Sequence, residues 1–347
     1  MEVLLLAVLA ATISLAATPA ARRLALRLGA VDEPDARRVH ATPTPRLGGL
    51  AVATAIFGAI AVGAAVGAPL TLLSLGEGAR TWSLLAGALV MVAAGALDDV
   101  RGTAPATKLV AQIVAAALAV AGGHWIAGVT NPFTGAYVAL GGVGALLAVV
   151  WIVAITNAFN LIDGLDGLAA GVGLIGAGTL LVIAWIEGRA DVLPLWAVLV
   201  GALAGFLVHN FAPASIFLGD SGSLLVGYLI ALLALQGLEK SATVVVVLSS
   251  VLALGLPIVD MALAIVRRTR ASGPRGIVRA DRAHLHHRLV DDGTMSHRRA
   301  VLVLYGVAVA GGAVAIVAAL TQSVLNTALV VAAAAACVIL VRGRTRR

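Results

Sequence analysis

The sequence predicts an all-α, polytopic integral membrane protein, organised as one domain over residues 1–347. Three observations carry this. The chain is 61% apolar and only 12% charged, where a water-soluble domain carries about a quarter charged residues. Its mean hydropathy is +1.03. Apolar runs of about 20 residues, the length that crosses a bilayer, recur from one end to the other.

Breaks at charged and Pro/Gly-rich stretches delimit eleven expected spans, at residues 3–21, 47–67, 82–97, 106–121, 138–156, 166–186, 192–209, 221–238, 243–267, 300–320 and 324–341. Each is read as a helix, because lipid offers no partner to open backbone. The first span could pass for a signal peptide with an Ala-rich cleavage site. Glu2 before it and Arg22, Arg23 and Arg27 after it are instead the flanks of a retained helix. Cys337, the single cysteine, lies within an apolar run, which excludes a disulfide framework. No internal repeat or matching pair of halves is visible.

Eleven spans sort the loops into two alternating sets. One set holds residues 22–46, 98–108, 157–165, 210–220, 267–299 and the tail after Val341, and it carries 21 of the 24 Lys and Arg residues. The other carries only Arg80, Arg189 and Lys240. The positive-inside rule makes the first set cytoplasmic, with the N-terminus outside and the C-terminus inside. Trp82, Trp125, Trp185 and Trp196 fall near the outer ends, as an aromatic belt would. The net charge of +7 therefore reports topology, with an anionic substrate compatible and nucleic acid excluded as a partner.

Polar residues at a membrane edge are costly and so are functional candidates. Here they collect on the cytoplasmic side. Asp98 and Asp99 close the third span, where acids oppose the helix dipole; such a pair can bind Mg²⁺, or one member can act as a base. Lys108 opens the fourth span, in a chain where 22 of the 24 basic residues are Arg. Asn157, Asn160, Asp163 and Asp166 recur every third residue, a spacing that puts neighbours on one side of a helical turn. Gly164 and Gly167 beside them permit close backbone approach to a ligand. Oxygen donors without cysteine suit a hard cation or a polar ligand, not zinc. The spacing of three and the missing Glu exclude an EF-hand loop.

Phe217-Leu-Gly-Asp220-Ser-Gly-Ser223 precedes the eighth span. Either Asp220 and Ser221 cap that helix, or its N-terminus binds phosphate with Asp220 recruiting a metal. His284, His286 and His287 stand with Asp281, Arg282 and Arg288 in the longest basic loop. No further ligand completes a zinc site there, and imidazoles with guanidiniums suit phosphate or sugar oxygens. Arg267, Arg268 and Arg270 read as a juxtamembrane segment touching lipid headgroups.

Taken in order, these motifs resemble the polyprenyl-phosphate N-acetylhexosamine-1-phosphate transferases. Val31-Asp-Glu-Pro34, Arg37-Arg38-Val39-His40 and Pro43-Thr-Pro45-Arg46-Leu-Gly48-Gly49 extend the resemblance to the first cytoplasmic loop. The His-x-His-His form and the Arg-Val-His loop are similar to the branch that uses UDP-N-acetylglucosamine. The branch that uses the muramoyl-pentapeptide donor is the alternative and is less similar. Many relatives carry Ser-Pro-Phe before the Asp of the histidine loop, where this chain has Gly276-Ile277-Val278.

The resemblance implies transfer of N-acetylglucosamine-1-phosphate from a UDP-sugar to a polyprenyl phosphate, at the cytoplasmic face of the inner (plasma) membrane. It implies Mg²⁺, or Mn²⁺ in its place, on Asp220 and Asn160. Asp98 or Asp99 is implied as base or orienting acid, and Lys108 as a pyrophosphate contact. Phe217 would stack on uracil and Asp166 would hydrogen-bond it. Asn157 and Asp163 would line the nucleotide-sugar site, and Arg282, His284, His286 and His287 would contact phosphate or sugar. Partners implied are the UDP-N-acetylhexosamine, the lipid phosphate, the bilayer and, as an assembly, a homodimer. The rival class is a transporter of an anionic substrate, for which Asp260, after Pro257 and seven residues before Arg267 in the ninth span, is the best candidate.

Overall fold

The computed structural model describes residues 2–33, 43–66, 78–130, 134, 136–240, 250–272 and 295–321. Helices dominate it. In chain order they are α1 (Glu2–Leu28), α2 (Gly48–Ala65), α3 (Gly78–Arg101), α4 (Pro105–Ala121), α5 (Gly142–Ile162), α6 (Leu168–Ile186), α7 (Leu193–Asn210), α8 (Gly219–Lys240), α9 (Gly255–Ser272) and α10 (His297–Thr321). Eight of these described helices are long and apolar enough to cross a membrane. α4 is a shorter apolar helix. Outward faces stay apolar: Leu109, Val110, Ile113 and Val114 of α4 and Leu146, Leu147 and Val150 of α5 are exposed, as lipid-facing residues must be.

The all-α class stands, with two small antiparallel strand pairs in the connections between helices. β1 (Val31–Asp32) pairs antiparallel with β2 (Thr44–Pro45), Val31 opposite Pro45. β3 (Gly128–Thr130) pairs with β4 (Tyr137–Ala139), Val129 opposite Val138. The second hairpin takes Val138 and Ala139 out of the expected fifth span, which begins as a helix only at Gly142. The apolar alternation of a short strand and the start of a buried helix look alike in sequence. Trp196 is a second correction: it is 2% exposed and packed in the core, while Trp82 and Trp185 are 69% and 72% exposed. The expected span 324–341 lies outside the described residues, as do residues 243–249 of the expected span 243–267.

α8 stands at the centre, packed by α2, α3, α5 and α6. Leu224, Leu225, Tyr228, Ile230 and Leu232 on its different faces are all fully buried, the expected fate of a helix that is apolar all round. Close approach is secured by small residues. A side chain at Gly49 of α2 would collide with the backbone of Gly222, and one at Gly95 of α3 with that of Asp220. On α7, Gly201 and Gly205 receive the carbonyls of Ala7 and Ala11 of α1 in the same way.

This packing gathers the ends of α1, α3, α5 and α7 with the starts of α2, α4, α6 and α8. The gathering is visible in bonds. Arg46 bridges in parallel to Phe217, Phe217 N donates to Pro45 O at 2.8 Å, and Gly48 N donates to Phe217 O at 3.0 Å. Arg22 Nε donates to Ser215 O at 3.1 Å. At the opposite end Arg189 Nη2 donates to Gln236 O at 2.6 Å, and Gln236 meets buried His124 at 3.2 Å. Asp260, the acid of the transporter reading, is 2% exposed on α9.

Candidate active site

Where the helix ends gather, four elements contribute to one polar cluster. α3 is 24 residues long, about 36 Å at the helical rise, so it outruns the roughly 30 Å hydrocarbon layer. Asp98 and Asp99 ride on its last turn. Asp98 Oδ1 accepts Thr103 N at 2.8 Å and the Thr103 hydroxyl. Pro105 opens α4 at a position where its missing N–H costs nothing, which sets Lys108 on the first turn. Lys108 Nζ reaches Asp220 Oδ2 at 2.6 Å and Asp98 Oδ2 at 3.4 Å. The three side chains keep 17–22% exposure, so the charges are partly buried but not sealed.

Asn160, on the last turns of α5, donates through Nδ2 to Asp220 Oδ1 and to Ser223 Oγ, both at 3.0 Å. Asp99 turns the other way from Asp98. It is 3% exposed, and its two oxygens accept the N–H groups of Asp220 at 2.9 Å and Ser221 at 3.0 Å. The α8 N-terminus is thus capped by a residue of α3, not by Asp220 or Ser221.

The run with a spacing of three divides at the end of α5. Asn157 and Asn160 are helical, but the helix stops at Ile162 and Asp163 to Gly167 form a turn. Asp163 and Asp166 therefore do not continue a helical face. Asp163 looks to Gly219 and Asp220, and burial with the charges of Asp220 and Asp99 pushes its carboxyl well above the ordinary carboxylate range. Asp166 Oδ2 accepts Ala214 N at 2.9 Å and so ties down the segment that leads to Phe217. Gly167 takes φ +77°, and the neighbours it admits are Phe211 and Tyr305 rather than open space for a ligand. Tyr305 donates its hydroxyl to Gly167 O at 2.6 Å.

Asn157 sits one turn deeper, paired amide to amide with Gln112. Gln112 is 2% exposed and lies four residues beyond Lys108, on the same face of α4. Sequence reasoning passed over it, although a lone amide in an apolar span is a readable signal. Thr103 was also passed over, and Ser223 entered only as the end of its motif without a role; short hydroxyl side chains carry no such signal. Phe217 is half-buried, its backbone fixed by the first loop as described. Arg282, His284, His286 and His287 lie outside the described residues.

Asp98, Asp99, Asp163 and Asp220 bring four carboxyls to a region where Lys108 supplies one ammonium. Crowded acids with oxygen-rich neighbours suit a hard divalent cation. Among the described residues no three His, Cys, Asp or Glu side chains form a ready-made cage. A cation here would take few protein ligands and keep water, the habit of Mg²⁺. The donor set fits that ion.

Residues 81–238 match the family described as Glycosyl transferase family 4. The chain is 39% identical over 288 residues, 83% of its own length and 77% of the relative's, to the Bacillus subtilis protein named "Probable undecaprenyl-phosphate N-acetylglucosaminyl 1-phosphate transferase". It is 40% identical over 332 residues, 88% of this chain and 79% of the other, to the "Decaprenyl-phosphate N-acetylglucosaminephosphotransferase" of Mycobacterium tuberculosis. Similarity to the "Phospho-N-acetylmuramoyl-pentapeptide-transferase" of Listeria monocytogenes is lower, 30% over 249 residues, 69% of this chain and 74% of the other.

Proposed function

We propose, from the premise that this chain belongs to glycosyl transferase family 4, that it transfers N-acetylglucosamine-1-phosphate from UDP-N-acetylglucosamine to a polyprenyl phosphate. The product is a polyprenyl-pyrophosphoryl sugar, and UMP is released. The observation that carries the reading is the meeting of Lys108, Asp98, Asp220 and Asn160 at one end of the bundle. This is a charge pattern made for a pyrophosphate and a cation together. The higher identity to relatives named for N-acetylglucosamine transfer favours that sugar over the muramoyl-pentapeptide. The basic character of the loops at this end supports a site at the cytoplasmic face of the plasma membrane.

An oxygen of the lipid phosphate attacks the β-phosphorus of the UDP-sugar, in line with the bridging oxygen. The new P–O bond forms, the bridging P–O bond breaks, and UMP leaves with that oxygen and its electron pair. Asp98, steadied by Thr103, orients the acceptor phosphate or takes its proton. Lys108 meets the pyrophosphate oxygens as charge moves onto the leaving group. Asp220 and Asn160 are the residues that would hold Mg²⁺, or Mn²⁺ in its place, which when bound supplies charge neutralisation to the phosphates. Phe217 offers its ring to the uracil, held at the mouth of the site by its pairing with the first loop. The lipid tail needs no passage through water, since the apolar faces of α4 and α5 are open to the bilayer beside the cluster.

The test uses purified protein in detergent with polyprenyl phosphate and UDP-sugar labelled in the sugar. Label extracted into lipid, with UMP formed in equal amount and only with a divalent cation, is the expected result. Lipid labelling with the muramoyl-pentapeptide donor alone overturns the choice of sugar, and no labelling with any donor overturns the reaction.

A further inference from the structure

We propose that Asp99 is a positioning residue: from α3 it caps the first turn of α8 and thereby sets where the Asp220 carboxylate stands. This deepens the transfer reading above and rests on it.

The first N–H groups of any helix lack intrahelical acceptors, and a Ser, Thr, Asp or Asn just before the helix normally supplies one. α8 is preceded by Leu218, which has nothing to offer. Asp99, 121 and 122 positions earlier, supplies both of its oxygens instead, to Asp220 N and Ser221 N. The surroundings are shaped for it. Gly219 adopts φ +71°, and a side chain there would run into the Asp99 carboxylate. Gly95, one turn earlier on the same face of α3, leaves the space that the Asp220 carbonyl fills. α3 therefore presents a notch and a hook, and the start of α8 sits in both.

Two consequences separate the adjacent acids. The charge of Asp99 opposes the dipole of its own helix but complements the N-terminus of α8, which explains an acid at the end of α3. With both oxygens occupied and 3% exposure, Asp99 does not face substrate. Asp98, beside Lys108 and more exposed, does. Asp220 spends its own oxygens on Lys108 and Asn160, so the position of its carboxylate follows from the backbone that Asp99 holds. A misplacement of about 1 Å at such a site costs on the order of 10²-fold in rate.

The experiment compares full-length Asp99→Asn and Gly95→Ala with wild type. Hydrogen exchange is followed in peptides covering residues 216–223, Mn²⁺ binding by electron paramagnetic resonance, and transfer as a function of pH. The amide of Asp99→Asn keeps one acceptor and turns a donor toward the other N–H. Exchange of the first-turn amides should rise about fivefold or more, as for a lost cap. Mn²⁺ affinity should fall about tenfold, and turnover on the order of 10²-fold, with the pH profile unchanged in shape. Gly95→Ala removes no acid and should change exchange and Mn²⁺ affinity in the same direction. Wild-type exchange in Asp99→Asn overturns the proposal, and so does loss of one limb of the pH profile in Asp99→Asn alone. The exchange and Mn²⁺ measurements stand whether or not the transfer reaction is found, so failure of the reaction is told apart from failure of the cap.

Discussion

Lys108 Nζ lies 2.6 Å from Asp220 Oδ2, a bond between α4 and α8 that spans 112 positions of sequence. Asp98 shares the same ammonium at 3.4 Å, so one cation serves two acids from different helices. An ammonium is a compact point charge that suits this three-way contact, while a guanidinium is a wider planar fork.

Lys108→Arg tests that geometry. It keeps the charge and should fold and insert normally, yet turnover should fall by about 10²–10³, the loss seen when one transition-state donor is removed. Wild-type turnover would reduce Lys108 to a helix-end anchor.

Asp220→Asn tests the cation. The variant loses the carboxylate that Lys108 and Asn160 both address, and divalent-dependent transfer should disappear. Mn²⁺ binding followed by paramagnetic resonance should disappear with it. Near-normal transfer at ordinary Mg²⁺ concentration would refute the assignment.

Phe217→Ala tests the nucleobase. Stacking of a base on an aromatic ring is worth about 1–3 kcal/mol, which corresponds to roughly ten- to a hundredfold in the Michaelis constant for the UDP-sugar. Turnover at saturating donor should change little. An unchanged Michaelis constant removes the stacking role.

Gln112 and Asn157 offer a test of stability without reference to catalysis. Gln112→Leu leaves the Asn157 amide without its side-chain partner, at a cost of about 1–3 kcal/mol. Thermal unfolding in detergent should drop accordingly, and Gln112→Leu with Asn157→Leu should recover part of the loss. Equal melting of wild type and the single variant would show that the pair contributes nothing.

Asp163 makes stability depend on pH. Its folded pKa is raised by burial and by the charges of Asp220 and Asp99, so the folded state binds the proton more tightly than the unfolded one. Its contribution is complete below the unfolded carboxylate range, near pH 4, and is lost as pH rises through the raised value. In the absence of divalent cations Asp163→Asn should flatten that decline and melt higher than wild type at neutral pH. An identical pH dependence in both proteins would show that Asp163 is not strained by its neighbours.

Much of this molecule was determined by the sequence alone. Apolar length specifies helices because lipid leaves the backbone no other partner, and most of the described helix limits lie within a few residues of the apolar runs. The end of the bundle where most polar residues gather was legible too, because charged groups are costly in lipid: Asp98, Asp99, Lys108 and Asp220 all stand at helix ends. What stayed hidden depends on contacts between distant segments. Nothing local distinguishes Asp98 from Asp99, yet one faces Lys108 and the other caps α8. The spacing of three from Asn157 to Asp166 promises one helical face, but the α5 helix ends at Ile162 and the two later acids part ways. Val138 and Ala139 read as helix until Val129 pairs with Val138. A sequence records which groups must find partners; only the packed chain, by bringing α3, α4 and α5 against the start of α8, decides which partner each group receives.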